Sequence, residues 1–271
     1  MMHWLQAHGL WPFSVHWSEW TTQLFDGLLR TLEYTLLGFT AAALFGLVLA
    51  LMRTSKIVLV RLPAAIYTEL FKNIPLLVII FVLYFGLPET TSVFGEWVVM
   101  GSFKAGVFGL AIFYAAYLSE IFRAALAGVH DQQREAAQAL GLGRWSIFAH
   151  VTFPQALRLA LPGTNTMLVD MLKSTSLLIT ITAGELMSVG QSISSQTFEV
   201  MEVYLVLAAI YFAMCYPLSQ ALLWLERRVR AGAPLSVGRY RRLRTARGLL
   251  GTLQPIATAE PVATAQRGGV S

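Results

Sequence analysis

The stretch EAAQALGLGRWSIFAHVTFPQALRLALPG, Glu135 to Gly163, decides how this chain reads. It lies between two strongly apolar segments. It is too polar to stay in lipid and too regular in its Ala, Leu and Gly placement for an idle loop. Arg134 to Leu140 is rich in strong helix formers. Asp131 is placed to cap that helix and Glu135 to favour its first turn. Gly141 and Gly143 end it. Arg144 to Val151 reads as a second short helix, stopped before Pro154. Ala136, Ala139, Leu140, Gly143 and Ile147 give a small-residue face to which another backbone can come close. This makes either a docking knob for a partner or an amphipathic helix resting on headgroups.

Outward from this stretch the chain is apolar. Of 271 residues, 56% are hydrophobic and 13% charged, against about 25% charged in soluble domains. Lipid therefore solvates much of the surface. A span needs about 20 mostly apolar residues, and five segments qualify: 28–52, 64–87, 105–126, 161–181 and 203–225. The fourth is the weakest, because Asp170 and Lys173 lie inside it. The expected fold is an all-α polytopic membrane protein with a cytoplasmic loop over 129–158. No internal repeat is visible.

Cations set the orientation. Arg53, Lys56 and Arg61 follow the first span, and Arg134, Arg144 and Arg158 follow the third. Nearly half of all Lys and Arg lie from Arg227 onward. The other side carries Glu19, Asp26, Glu89, Glu96, Glu199 and Glu202 against Lys104, with Arg30 near the start of the first span. The N-terminus is expected outside, and the Glu135 stretch and the C-terminus in the cytoplasm. The N-terminal segment 1–25 is Trp-rich, fits the membrane interface and does not read as a signal peptide. The basic tail 229–271 lacks the apolar residues to fold and is expected to be disordered. Its cations, beside a span, fit anionic headgroups better than nucleic acid.

Ionisable groups inside a span cost about 2.5–3.5 kcal/mol each on insertion scales, so each needs a reason. Asp170 and Lys173 stand three apart and can neutralise each other. Alternatively Lys173, Ser174, Thr175 and Ser176 line a cavity, where lysine and hydroxyls would take the carboxylate of an amino acid and Asp170 its ammonium. Glu69, Lys72 and Asn73 precede Pro75, which leaves carbonyls near Phe71 free. They are a second candidate pathway, or simply an interfacial helix start. Glu120 and Arg123, three apart near the inner end of the third span, read as an internal pair or as side chains that snorkel. Glu185 contacts a partner or gate, or is a solvated loop residue. Cys215, the single cysteine, reads as a small core or lipid-facing residue. His130 and His150 have no further ligand nearby, so no metal site is expected. No nucleophile–base pair stands out, and no enzymatic site is expected in this chain.

Glu135-Ala136-Ala137, then Gly141, then Val151-x-Phe153-Pro154 resembles the EAA motif of ATP-binding-cassette (ABC) importer permeases. The family more often has Ile and Leu-Pro at the last positions. The resemblance runs from about Asp26 to about Glu226 and is strongest to the polar amino-acid uptake permeases of the histidine, glutamate and glutamine type. It is carried by DGLLRTLEYTLL, ELFKNIPLLVIIFVLYFGLP, YLSEIFRAALAGV and FPQALRLALPGTNTMLVDMLKSTSL. Two places depart. Gln132-Gln133-Arg134 stands where Gly-Gln is common, and Lys173-Ser174-Thr175-Ser176 where Lys-Asp-Thr-Ser is common.

The resemblance implies a type I importer permease of five to six spans, working as a homo- or heterodimer. It also implies two cytoplasmic ATPase subunits and an external solute-binding protein. Glu135, Ala136, Ala137, Leu140, Gly141 and Pro154 would then couple the spans to the ATPase. The sequence has no GxxxxGK[ST] phosphate loop, so ATP and Mg would sit on the partner. The competing reading is a self-sufficient channel or secondary carrier, which would more often show paired halves with matching broken spans. A purely structural membrane anchor is a third.

Overall fold

The computed structural model describes residues 17–86 and 101–231. All regular elements among them are helices. The N-terminal residues before 17, Glu89, Glu96 and the tail beyond 231 lie outside the described residues.

Helix α1 (Trp17–Thr54) has 38 residues, about 57 Å of helix and longer than the ~30 Å hydrocarbon layer. It starts eleven residues before the expected span. Helix α2 (Val58–Asn73) and helix α3 (Leu76–Phe81), which ends in a π turn over Val82–Gly86, follow. The continuous second span expected over 64–87 is not found. The two helices are bent by 105° at the Asn73–Pro75 break. Pro75 lacks the N–H that α2 would need to continue, and the residue before a proline is pushed to extended backbone. Ile74 is extended accordingly, at φ −98° and ψ 129°.

Helix α4 (Ser102–Ala127) is the central element. Its Leu110, Tyr114 and Leu118 are buried with Tyr34 of α1, Ile80 of α3 and the later Met171 and Leu178. The α1–α4 crossing is close because Gly46 has no side chain. A Cβ there would lie 3.0 Å from the Leu118 Cβ and 3.1 Å from the Ala115 carbonyl. Small residues replace the hydrophobic effect as the means of close packing inside a bilayer.

Three short pieces then cross the polar stretch: α5 (Asp131–Ala139), α6 (Arg144–Ile147) and a π turn over Phe148–Thr152. Helix α7 (Phe153–Ser174) continues into a 3₁₀ segment, Thr175–Ile181. Pro154 does not stop a helix. It sits in the first turn of α7, and Arg144–Ile181 forms one rod. The Phe153 N–H bonds back five residues to Phe148, and this wider turn accommodates a ring that would clash with a normal α turn. Helix α8 (Leu186–Thr197) is bent by 49° from that rod. Helix α9 (Val200–Ala231) closes the described part. Three helices can cross a membrane by length and composition, or up to five elements if each bent pair counts as one.

Candidate functional site

The first site is the knob formed by α5 and α6. Its turn is built by Gly141 at φ +80°, a left-handed conformation that glycine adopts without strain. The Leu142 N–H reaches the Ala137 carbonyl at 3.2 Å, and the Gly141 N–H reaches Gln138 at 2.9 Å. These two bonds satisfy the last carbonyls of α5, the Schellman closure. The N-terminus differs from expectation. Asp131 is not the cap. His130 holds that position without a side-chain bond, and Asp131 pairs instead with Arg134 at 3.3 Å.

The faces sort clearly. Ala137 and Ile147 are buried against the body, so Ile147 is not part of the outer face. Glu135, Ala136, Ala139 and Gly141 are exposed. So are Leu140, at 81%, and Trp145, at 79%. Two large apolar side chains therefore stand beside a small-residue surface. Gln133 of α5 and Gln155 of α7 hydrogen-bond and tie the knob to the rod, with Pro154 next to this tie. Trp145 stacks on Phe148 with ring centroids 5.7 Å apart.

The second site surrounds Lys173, just before the 3₁₀ segment. Thr175, Ser176 and Thr180 each donate to the carbonyl three residues back, at 2.7, 2.8 and 2.8 Å. These bonds favour the tighter i→i+3 winding over α-helix. Asp170 and Lys173 form no ion pair. The Tyr114 hydroxyl donates to Asp170 Oδ2 at 2.8 Å and also lies 2.8 Å from Ser174 Oγ. The Lys173 ammonium has no ion-pair partner among the described residues. It projects into a cavity of about 590 Å³ whose other walls are Ser176, Met187 and one face of α9. A neighbouring cavity of about 370 Å³ holds Asp170 and shares Lys173 and Ser219 with the first.

The other expected residues separate from this site. Thr175 is fully buried and lines neither cavity. Glu69 and Asn73 line neither cavity and sit at the end of α2. There the Asn73 amide caps the Glu69 carbonyl at 2.6 Å, and Tyr117 donates to the Lys72 carbonyl at 3.3 Å. Two carbonyls beside Phe71 are thus occupied, those of Glu69 and Lys72. Glu185 is neither a solvated loop residue nor a surface contact. It is 0% exposed and caps α8, accepting from Met187 N at 2.7 Å, Ser188 N at 2.8 Å and Tyr211 Oη at 3.2 Å. Glu120 pairs with Arg123 as expected and also with Arg53.

The α9 wall was not read from the sequence. Tyr204, Ala208, Tyr211, Cys215 and Ser219 recur every three or four residues and form one helix face. Cys215 belongs to that cavity wall.

Residues 42–231 match the family described as binding-protein-dependent transport system inner membrane component. The chain belongs to this family. It is a multi-pass inner-membrane component of such a transport system, which sets aside a self-sufficient channel or carrier. A probable amino-acid ABC transporter permease of Bacillus subtilis (strain 168) is 36% identical over 70% of this chain and 84% of its own. The octopine transport system permease protein of Rhizobium radiobacter is 34% identical over 76% and 87%. A crystal structure of an amino acid ABC transporter with histidines superposes with a TM-score of 0.72. It is 35% identical and covers 80% of this chain and 100% of that one. A methionine ABC transporter at 18% identity and TM-score 0.58 shares the fold.

Proposed function

We propose that this chain is the translocating subunit of an ATP-driven importer for an amino acid or a related small zwitterion. A cytoplasmic ATPase dimer, a second permease subunit and an extracytoplasmic solute-binding protein would complete it. The family and the amino-acid permeases that resemble the chain support this reading. The observation that carries it is the continuous rod from Arg144 to Ile181. One end bears the exposed knob and the other bears Lys173.

In this reading the knob is the coupling helix. Leu140 and Trp145 enter a groove of the ATPase, and Glu135, Ala136 and Gly141 let its backbone approach. Ala137 and Pro154 brace the knob from behind. ATP and Mg²⁺ are held by the partner. Closure of the ATPases moves the knob, and the rod carries that movement to the cavity. Lys173, Ser176 and Asp170 form the substrate path in this chain, with Ser174 setting Asp170 through Tyr114. In this reading the N-terminus lies outside and the C-terminus in the cytoplasm, and the cation distribution supports that orientation.

The test is purification of the tagged chain from its native membrane in mild detergent, with identification of co-purifying chains. An ATPase bearing a phosphate loop is expected. A chain that purifies alone and moves solute in liposomes without ATP would overturn the reading.

A further inference from the structure

Charge is distributed unevenly over the two cavities that meet at Lys173. The larger has Lys173 as its single charged wall residue. The rest of its lining is hydroxyl, thiol, thioether, aliphatic or aromatic, with Tyr204, Tyr211, Phe212 and Tyr216 supplying the rings. Glu185 lies behind Tyr211, but its oxygens are occupied by the Met187 and Ser188 amides, the Ser188 hydroxyl and Tyr211 itself. The smaller cavity carries two carboxylates, Glu226 and the exposed Asp170, of which Oδ2 accepts from Tyr114.

From this asymmetry we infer that the site selects α-amino acids with bulky, neutral, largely apolar side chains. The inference rests on the importer reading above. Asp170 and Lys173 lie one turn apart on one helix face, where side chains three apart are neighbours. An α-ammonium at Asp170 and an α-carboxylate at Lys173 place the side chain in the larger, aromatic-walled cavity. Its volume falls within the range of small-molecule sites, about 300–1,000 Å³. A guanidinium or lysyl ammonium there would face Lys173 with no carboxylate to offset it. A second carboxylate would have to share the one lysine.

Cys215 provides a direct readout, since it is the chain's single cysteine and lines the larger cavity. The experiment is N-ethylmaleimide labelling of the full chain in washed membranes that contain the assembled transporter, with Cys215→Ala as the blank. Phenylalanine or methionine at millimolar concentration is expected to slow labelling at least fivefold, and arginine and glutamate less than twofold. Ser176→Asp, which puts a carboxylate into the cavity, is expected to gain protection by arginine. Equal protection of the unaltered chain by arginine would overturn the selectivity and leave the site standing. Labelling that no amino acid slows would overturn the site itself. Failure of Cys215 to react without ligand would show the cavity filled by protein or lipid, and would overturn the proposal as well.

Discussion

Gly141 is the residue on which the knob depends in two separable ways. Its φ of +80° disfavours most other residues, and an added Cβ meets nothing within 4 Å. Gly141→Trp is therefore expected to insert normally, lose the ATPase on purification and abolish uptake. Gly141→Asn tolerates the left-handed conformation and is expected to keep most uptake. Equal loss in both would place the effect in the turn rather than in docking. Glu185 makes a different demand. Glu185→Ala leaves two amide N–H groups and the Tyr211 hydroxyl without their acceptor. The expected cost is about 1–3 kcal/mol, read as a lower melting temperature in detergent. The sequence showed that Gly141 would turn the chain, because glycine's freedom is local. It could not show that Glu185 is buried, because burial depends on α9 and Tyr211.

The elements were legible where hydropathy and length suffice. The first, third and fifth spans correspond to α1, α4 and α9. Direction was not legible. A hydropathy window sums residues without regard to angle, so 64–87 read as one span although it bends by 105°. Pro154 misled for a related reason. Proline's effect depends on whether the preceding turn is α or π, and one sequence window does not distinguish the two. Ion pairs between elements were half legible. Glu120–Arg123 follows from spacing, whereas Arg53 arrives from α1 across the α1–α4 crossing. Glu120→Ala would leave both guanidinium groups without a carboxylate. A fully buried pair would lose about 3–5 kcal/mol, but Glu120 is 36% exposed, so about 1–3 kcal/mol is expected. Comparing Glu120→Ala with Glu120→Gln in thermal melts checks this, since Gln keeps some of the hydrogen bonding.

At the scale of the whole molecule, uptake separates a cation in the middle of a span from one at a helix end. Lys173→Ala is expected to lower uptake at least tenfold. Lys104→Ala, in the first turn of α4, is expected to change it less than twofold. Equal effects in membrane vesicles would remove Lys173 from the path. The rod from Arg144 to Ile181 bears on timing as well as on position. Trp145 and Lys173 lie about 42 Å apart along it at 1.5 Å per residue, so a 10° tilt about one end swings the other by about 7 Å. That stroke exceeds the length of most side-chain contacts. A continuous rod leaves little slack between its ends. Its regular winding is interrupted at the π turn at Phe148–Thr152, and softening that section would let the two ends run out of phase, consuming ATP without moving cargo.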